Sequence, residues 1–340
     1  MENRTLQNVL TVRDLNISIP LDEGLLTPVR GVDFTLGKNE TLGLVGESGC
    51  GKSLSCKAIL GINSKNCMTT GNIEFIDDDG KPKDLLNMKF GSKEIRDIRG
   101  NRISMIFQEP MSAFSPLFTV GKQLLECLKI HTKMSRSEAK ALILETMKKV
   151  GIANPEKRYN QHPHEFSGGM LQRALIAMSL LCNPKVLIAD EPTTALDVTI
   201  QAQILELLKS LQADYGMSIL YITHDLGTVA QMCDRVAVMY LGRIIETGTA
   251  KAIFDNPVHP YTRGLIGSVH KIGSGNKRLF SIEGSVPLAM NLSDRCPFYD
   301  RCTLRDEHTC QGAEPGLREI EPGHQVACYC PWDKEAKQHG

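Results

Sequence analysis

The stretch Gly46–Ser53 has the residue types and the spacing of a phosphate-binding loop. Its sequence, GESGCGKS, fits the pattern G-x-x-x-x-G-K-[ST]. In such a loop the glycines let consecutive backbone N–H groups face phosphate oxygens, and the following helix adds its positive end. We expect Lys52 to reach the outer phosphates and the Ser53 hydroxyl to bind Mg²⁺. The residues predicted to surround the phosphates are Gly46, Glu47, Ser48, Gly49, Cys50, Gly51, Lys52 and Ser53.

A second candidate for chemistry is the apolar run Val186–Asp190 with Glu191 directly after it. An acid at the end of a buried strand is the residue that holds Mg²⁺ in nucleotide triphosphatases, and this predicts that role for Asp190. Glu191 is predicted to be the general base, because a neighbour on the same strand end can come within hydrogen-bond reach of the attacking water. Together with the phosphate loop, these two carboxylates predict Mg²⁺-dependent hydrolysis of a nucleoside triphosphate.

The composition excludes several other classes of protein. Lysine plus arginine equals aspartate plus glutamate, 39 against 39, so the chain has no excess basic field for nucleic acid. The best apolar run, Ala174–Cys182, is half the length of a membrane span and is typical of a buried helix. The N-terminal residues lack the charged-then-apolar form of a secretory signal. We therefore expect a soluble protein that stays in the cytosol.

The periodicity predicts the elements that must position these residues. Strand-like and helix-like segments alternate, which indicates an α/β core with a largely parallel sheet, interrupted by a helical insert. After about Gly264 the sequence becomes rich in Gly, Pro, Ser and Cys and has little periodicity. The predicted segments are strands in residues 8–45, a helix after the phosphate loop, helices in residues 118–150, a strand at 185–190, a helix at 199–216, a strand at 218–224 and one further strand at 235–246.

Several further motifs resemble the ATP-binding-cassette (ABC) family over roughly residues 8–265. FSGGM at Phe166–Met170 resembles the family's signature sequence, although members often have Gln where this chain has Met170. Gln108 in MIFQEP matches the Q-loop, Asp197 in TTALD the D-loop, and His224 in LYITHD the switch histidine. A Ser-Gly-Gly turn at a helix start also presents backbone N–H groups to an anion.

The resemblance implies a fold and a division of the chain. The fold is an α/β P-loop NTPase with a RecA-like core, an N-terminal antiparallel β-subdomain, and a helical subdomain inserted at about residues 110–175. These parts form an ABC nucleotide-binding domain of residues 1–265. A loop-rich, cysteine-containing C-terminal extension of the oligopeptide-transporter type follows in residues 266–340.

The resemblance also implies a composite ATP site. Two cassettes bury two ATP molecules between them, and the signature residues of one contact the γ-phosphate held by the other. Gln108 joins Ser53 and Asp190 around Mg²⁺, while Glu191, His224 and Gln108 act in hydrolysis. Where the family stacks an aromatic ring on adenine, this chain has Ile19, which keeps apolar contact only. The remaining nucleotide contacts implied are Ser167, Gly168, Gly169 and Asp197.

The residues around these motifs resemble those of the ATPases of oligopeptide, dipeptide and nickel importers. HPYTRGLI at His259–Ile266 resembles the start of that branch's C-terminal extension. The resemblance implies a peripheral ATPase on the cytoplasmic face of the membrane that drives peptide uptake. Its implied partners are a second, homologous cassette in a heterodimer, two transmembrane permeases and, indirectly, an extracytoplasmic substrate-binding protein. Nickel or oligosaccharides are alternative cargoes for the same machinery.

Two other classes of function fit the sequence less well. Soluble ABC proteins of DNA repair or chromosome maintenance need long coiled-coil or DNA-binding inserts between the two phosphate motifs. This chain has neither the length nor a basic stripe for them. A regulatory half that binds ATP without hydrolysing it is opposed by the presence of Glu191 and His224.

The cysteines suggest a further cofactor. In a reducing cytosol, clustered cysteines indicate metal or reactive thiols rather than disulfides. Those of the tail have the spacing C-x₅-C-x₇-C-x₁₇-C, with Cys330 as a neighbour, and they leave three alternatives open: a [4Fe–4S] cluster, zinc, or no metal. The resemblance favours the cluster. The remaining cysteines, including Cys50 in the phosphate loop, are expected to be packing or incidental residues. The alternative for Cys50 is that it makes the site sensitive to thiol reagents, because a thiolate is stabilised beside a helix start. The four candidate ligands are Cys296, Cys302, Cys310 and Cys328.

Overall fold

The structure is a computed structural model that describes residues 7–89, 91–194, 196–268 and 282–329. Its strands are β1 (Asn8–Leu21), β2 (Gly24–Gly37), β3 (Thr41–Val45), β4 (Met68–Ile76), β5 (Pro82–Asp84), β6 (Ile103–Ile106), β7 (Val186–Asp190), β8 (Ser218–Thr223), β9 (Arg235–Tyr240), β10 (Arg243–Thr249), β11 (Arg318–Glu321) and β12 (His324–Val326). Its α-helices are α1 (Lys52–Ile59), α2 (Lys93–Ile98), α3 (Pro110–Ala113), α4 (Val120–His131), α5 (Arg136–Lys149), α6 (Pro155–Tyr159), α7 (Gly168–Leu180), α8 (Val198–Tyr215), α9 (Leu226–Met232), α10 (Ala250–Asp255) and α11 (Pro260–Gly267).

The described residues fall into two compact units. Unit 1 is drawn from Met1–Val9, Leu36–Asn39 and Phe75–Ile222, and unit 2 from Leu10–Thr35, Glu40–Glu74 and Thr223–Gly340. Strands and helices alternate in both, so the predicted α/β class is confirmed. Among the helices of the described ranges, none is both long and apolar enough to cross a membrane.

Unit 1 is built on three parallel strands, β6, β7 and β8. Ile106 lies beside Ala189, and Asp190 lies beside Ile222, so the carboxyl ends of the three strands meet at one edge. All residues of these strands are buried, as expected for a parallel sheet covered on both faces. The edge where the strands end therefore positions the side chains that follow them.

Helices fill the chain between β6 and β7 in unit 1. The predicted helical stretch at residues 118–150 is confirmed as α4 and α5, with Thr119 and Ser135 as their N-caps. Ser135 forms a capping box with Glu138, in which each side chain accepts a hydrogen bond from the other residue's backbone. The packing of α5 and α3 against α7 fixes the helix that begins at the signature sequence.

In unit 2, β3 pairs with β9 in parallel, and β10 runs antiparallel to β9. The prediction of one strand over residues 235–246 was wrong, because the chain turns back between β9 and β10. Leu241 and Gly242 both have positive φ, 43° and 80°, which is the backbone of a two-residue hairpin turn. Apolar residues continue across the turn, so hydrophobic periodicity alone could not reveal it.

The N-terminal strands β1 and β2 form a hairpin with a two-residue connection, so they run antiparallel. Strand β4 lies on the other side of β1 in the same sheet. This confirms that residues 8–45 contain strands.

The C-terminal extension contains more regular structure than its sequence predicts. Strand β12 pairs with β10, and β11 pairs with β12, both antiparallel. The buried carboxylate of Glu246, a residue of β10, accepts hydrogen bonds from the backbone N–H groups of Val258 and His259. It also lies 2.8 Å from Nε2 of His324. Two short strands and a buried polar network therefore attach the extension to unit 2.

Candidate functional site

The predicted phosphate loop connects β3 to α1 in unit 2, the strand–loop–helix context that such a loop requires. A Cβ at Gly46 would lie 2.1 Å from the Met239 backbone oxygen, and one at Gly51 would lie 2.3 Å from that of Pro28. Both glycines also have positive φ, 154° and 102°. Their identity is therefore required by the close approach of neighbouring backbone as well as by the turn.

Lys52, the first residue of α1, is buried, with its ammonium group folded over the loop. Its Nζ donates to the backbone oxygens of Gly46 at 2.7 Å and Glu47 at 2.9 Å. These carbonyls hold the Lys52 ammonium group at the N-terminus of α1. Backbone N–H groups and the helix dipole already favour an anion there. Ser53 follows as the second helical residue and is half-buried. The arrangement is suited to receiving phosphate oxygens.

The sequence did not indicate two residues that contact this loop. Arg301 binds both carboxylate oxygens of Glu47, at 2.7 and 3.0 Å, and Tyr261 accepts a hydrogen bond from the Glu47 backbone N–H at 2.9 Å. Both lie more than 200 positions further along the chain, so neither has a local sequence signal.

Cys50 is a packing residue, as expected, and the alternative of a reactive thiol does not hold. It is 1 % exposed, and burial raises the pKa of its thiol despite the neighbouring Lys52 ammonium. A protonated, buried thiol is a poor nucleophile, so the alternative of sensitivity to thiol reagents is contradicted. The helix start does favour a thiolate, but desolvation is the larger effect.

In unit 1, Glu191 follows Asp190 at the carboxyl end of β7, and both are buried. The Glu191 carboxylate accepts hydrogen bonds from Gln108 Nε2 at 3.0 Å and from Thr194 Oγ1 at 2.9 Å. Its backbone N–H donates to the Ile222 oxygen at 2.9 Å, and its φ of 46° is left-handed. Such a backbone is uncommon for a residue other than glycine, and it is fixed here by neighbours on both sides.

The fold therefore brings the predicted base and the predicted Q-loop residue into direct contact. Gln108 lies two residues after β6, the strand beside β7, so parallel pairing accounts for the meeting. The sequence analysis did not predict that Thr194 contacts Glu191. Its hydroxyl group only three residues after Glu191 was the available signal in the sequence.

The signature sequence Phe166–Met170 begins α7 in unit 1. Ser167 is the N-cap, and its Oγ accepts the Met170 backbone N–H at 3.3 Å. Ser167 and Gly168 are exposed, and a Cβ at Gly168 would meet no described atom within 4 Å. A Cβ at Gly169 would lie 3.0 Å from Ile200 Cγ2. Packing within the described chain thus accounts for Gly169 but not for Gly168.

The remaining predicted residues occupy ends of elements. Asp197 is the exposed N-cap of α8 and accepts the Ile200 N–H at 3.0 Å. In unit 2, His224 directly follows β8 and is exposed, and Ile19 is half-buried in β1. None of these positions conflicts with the predicted roles.

The four candidate cysteine ligands line one narrow cavity in unit 2. Cys310 and Cys328 are buried, and Cys296 and Cys302 are half-buried. Burial, with smaller effects from Cys302 and Cys310, raises the pKa of the Cys296 thiol to about 11. Within the described ranges, no group of three or more His, Cys, Asp or Glu side chains is arranged so that it could hold a metal ion. Cys330 lies outside the described residues.

Two protein families match the chain in separate regions. Residues 29–194 match the family described as ABC transporter, and residues 245–310 match the C-terminal region of oligopeptide/dipeptide transporters. Gly46–Ser53 and the signature sequence fall within the first match, and Cys296–Cys310 falls within the second.

Curated relatives match over almost the whole length. The chain is 48 % identical to the dipeptide transport ATP-binding protein DppD of Bacillus subtilis, over 95 % of each chain. It is 44 % identical to the oligopeptide transport ATP-binding protein OppD of Salmonella typhimurium, over 95 % of this chain and 94 % of the relative.

Solved structures show the same fold. The dimeric ATP-binding cassette MJ0796 bound to ADP and Pi has a TM-score of 0.62 at 24 % identity, covering 71 % of this chain and 98 % of that one. CbiO1 of Clostridium perfringens, part of an ABC transporter complex, has a TM-score of 0.60 at 29 % identity, covering 74 % and 92 %.

Proposed function

This chain belongs to the ABC transporter family and is an ABC-type ATPase, and from this premise we propose that it powers the import of dipeptides or oligopeptides. The observation that carries the proposal is near-complete similarity to peptide transport ATPases, including the C-terminal region that matches oligopeptide/dipeptide transporters. Within the importer, the chain would lie peripherally on the cytoplasmic face of the membrane.

The proposed chemistry uses the geometry at the two strand ends. Lys52 and the N–H groups of Gly46–Ser53 bind the phosphates of ATP. Ser53, Asp190 and Gln108 would hold Mg²⁺, which when bound neutralises charge on the phosphates. The Gln108 amide nitrogen already donates to Glu191, so the amide oxygen is the atom that it offers to a cation. Glu191 takes the proton of the attacking water, and His224 assists from the end of β8.

We propose that each ATP is completed by a second, homologous cassette. Support comes from Gly168. It has no side chain, and no described atom of this chain occupies the space where one would be. A partner's γ-phosphate at the start of α7 would use that space and meet the N–H groups and the positive helix end. Asp197 and Ile19 are assigned to the same composite site, Ile19 as the apolar contact of adenine.

The domain limits remain proposals: a cassette of residues 1–265 with its helical part at about 110–175, and an extension of residues 266–340. Near Gln108 the helical part exposes large apolar side chains. Leu117 is 78 % exposed, Met111 and Phe118 of the same part are also exposed, and so is Phe107 just before it. Clustered exposed apolar residues are typical of a protein interface. We assign this surface to the transmembrane permeases, which an extracytoplasmic binding protein would supply with substrate.

Leu117→Asp tests this function because it places a charge in the proposed permease contact without touching the ATP site. We expect uptake of a labelled dipeptide to fall at least about tenfold, since a buried unpaired charge costs several kcal/mol. ATP hydrolysis by the paired cassettes without the permeases should stay within about twofold, because the substitution is at an exposed residue outside the ATP site. Leu288→Asp, at a leucine that is 75 % exposed, is the matched control. Unchanged uptake in Leu117→Asp, or transport of nickel instead of peptide, would contradict the proposal.

We further propose that Cys296, Cys302, Cys310 and Cys328 hold a [4Fe–4S] cluster. Four thiols line the same cavity, which is the donor set of such clusters. The thiols would have to draw together around the cluster, and the raised pKa of Cys296 means that loading releases protons. When bound, the cluster would cross-link the extension.

Metal content tests this proposal directly. Protein purified without oxygen should contain about four iron atoms and about four acid-labile sulfide ions per chain. It should also show the visible absorbance of an iron–sulfur cluster. Cys310→Ser should lose the iron, whereas Cys67→Ser, at a half-buried cysteine elsewhere, should keep it. Zinc at about one per chain, or protein free of metal, would refute the cluster.

A further inference from the structure

Arg301 connects the cysteine-bearing extension to the phosphate loop. Its guanidinium Nη1 lies 2.7 Å from Glu47 Oε2, and its Nη2 lies 3.0 Å from Glu47 Oε1. The arginine side chain is 6 % exposed and the glutamate side chain is 30 % exposed. A two-pronged, partly buried pair of this kind is strong and fixes the orientation of both side chains.

Other residues of the extension, together with Tyr240 of β9, hold Arg301 in place. Its Nε donates to the Glu283 backbone oxygen at 3.0 Å, and Nη2 also donates to that of Gly284 at 3.0 Å. The guanidinium carbon lies 5.8 Å from the Tyr240 ring centroid and 6.0 Å from that of Phe298. The guanidinium is thus held by carbonyls and aromatic rings before it reaches Glu47, so little freedom is lost in making the pair.

Every polar group of Glu47 is engaged. The backbone N–H donates to Tyr261 Oη, the backbone oxygen accepts from Lys52, and the carboxylate binds Arg301. Tyr261 is fully buried, with its ring centroid 4.7 Å from that of Tyr240, so it cannot move aside easily. The conformation of the loop's first turn therefore depends on residues from α11 onward.

Charge gives this contact a consequence for ligand binding. Glu47 is the acidic residue of GESGCGKS, and an unpaired carboxylate there would repel the phosphates of a nucleotide. We propose that Arg301 is a positioning residue of the phosphate loop, which neutralises Glu47 and fixes the first turn so that the C-terminal extension contributes to nucleotide affinity. This proposal rests on the assignment of Gly46–Ser53 as the nucleotide-binding loop.

Neutralisation of Glu47 and a merely structural role of Arg301 predict different effects on ligand binding. If Arg301 acts by neutralising Glu47, its removal should weaken ATP more than ADP, and ADP more than adenosine, because the repulsion grows with ligand charge. The same loss should be relieved by Glu47→Gln, which removes the carboxylate. An arginine that only holds the extension together would weaken all three ligands equally, and Glu47→Gln would not help.

The experiment measures equilibrium binding of ATP, ADP and adenosine to the full-length purified protein by calorimetry. The variants are Arg301→Ala, Arg301→Lys, Glu47→Gln and the double variant Glu47→Gln/Arg301→Ala. Arg295→Ala is the matched control, because Arg295 lies on the same segment and pairs with Asp300. Lys52→Ala reports on the loop itself, and melting temperatures are recorded for every variant.

We expect Arg301→Ala to raise the ATP dissociation constant about tenfold or more, with a smaller rise for ADP and little for adenosine. Arg301→Lys should give an intermediate loss and keeps the test valid if the alanine variant does not fold. The double variant should bind ATP within about threefold of Glu47→Gln, and Arg295→Ala within about twofold of the unmodified protein. Equal losses for all three ligands, or no relief by Glu47→Gln, would overturn the positioning role. Normal ATP binding by Lys52→Ala would instead refute the loop assignment.

Discussion

Replacing Glu191 by Gln will lower the ATP turnover of this protein by about a hundredfold or more while leaving ATP binding intact. General-base catalysis contributes about 10²- to 10⁴-fold, and an amide cannot accept the water proton. Gln is nearly isosteric with Glu, and its amide oxygen can still accept hydrogen bonds from Gln108 and Thr194. Phosphate release measured at saturating ATP, with nucleotide binding measured in parallel, separates chemistry from affinity.

Thr194→Val is the matched control for this prediction. It removes the hydrogen bond from Thr194 to the Glu191 carboxylate but leaves the carboxylate itself. We expect a loss of only a few-fold, because Gln108 still orients the base. Turnover by Glu191→Gln within tenfold of the unmodified protein would show that the base lies elsewhere.

The second large effect is expected from Gly168→Asp. Gly168 is the first residue of α7, and an acid in the first turn stabilises a helix by about 0.3–1 kcal/mol. The described chain leaves the position open, so the isolated protein should be at least as stable as before. The new carboxylate would, however, face the γ-phosphate of a partner's ATP. We therefore expect ATP-dependent association and turnover to fall about a hundredfold or more, as for loss of an essential charge-stabilising contact.

Melting temperature, ATP-induced dimerisation and phosphate release together check this prediction. Gly168→Ala should fold normally and should lose less association and turnover than Gly168→Asp, because a methyl group occupies the space without adding charge. Gly169→Ala should be less stable than Gly168→Ala, since its Cβ would press on Ile200 Cγ2 at 3.0 Å. If Gly168→Asp dimerises and hydrolyses ATP normally, the signature sequence does not approach a partner's phosphate.

Much of the site was predictable from local sequence because its chemistry is made by contiguous residues. A loop that binds phosphate through successive N–H groups must be continuous, and an acid at the end of a buried strand is visible as the last residue of an apolar run. Glu191 was identified in this way, and Gln108 by its resemblance to the family's Q-loop. Their hydrogen bond depends on β6 and β7 being neighbours, which is a property of the sheet.

Other features could not be predicted because they depend on burial or on distant contacts. Cys50 has the sequence position of a reactive thiol, but the fold places it where desolvation raises its pKa. The strand expected at residues 235–246 is a hairpin, since a positive φ at Leu241 and Gly242 reverses the chain without interrupting its apolar pattern.

The sequence by itself determined the kind of catalyst, an ABC-type ATPase. It also supplied the proposed phosphate loop, magnesium acid, base and signature turn, each contained in a few consecutive residues. Only the tertiary structure decided how the loop is held and where the extension belongs. Arg301 reaches Glu47 across 254 positions of the chain, and β12 joins β10 from the far end of the tail. Such contacts leave no local pattern, because an arginine or a short strand acquires its partner only when the chain folds.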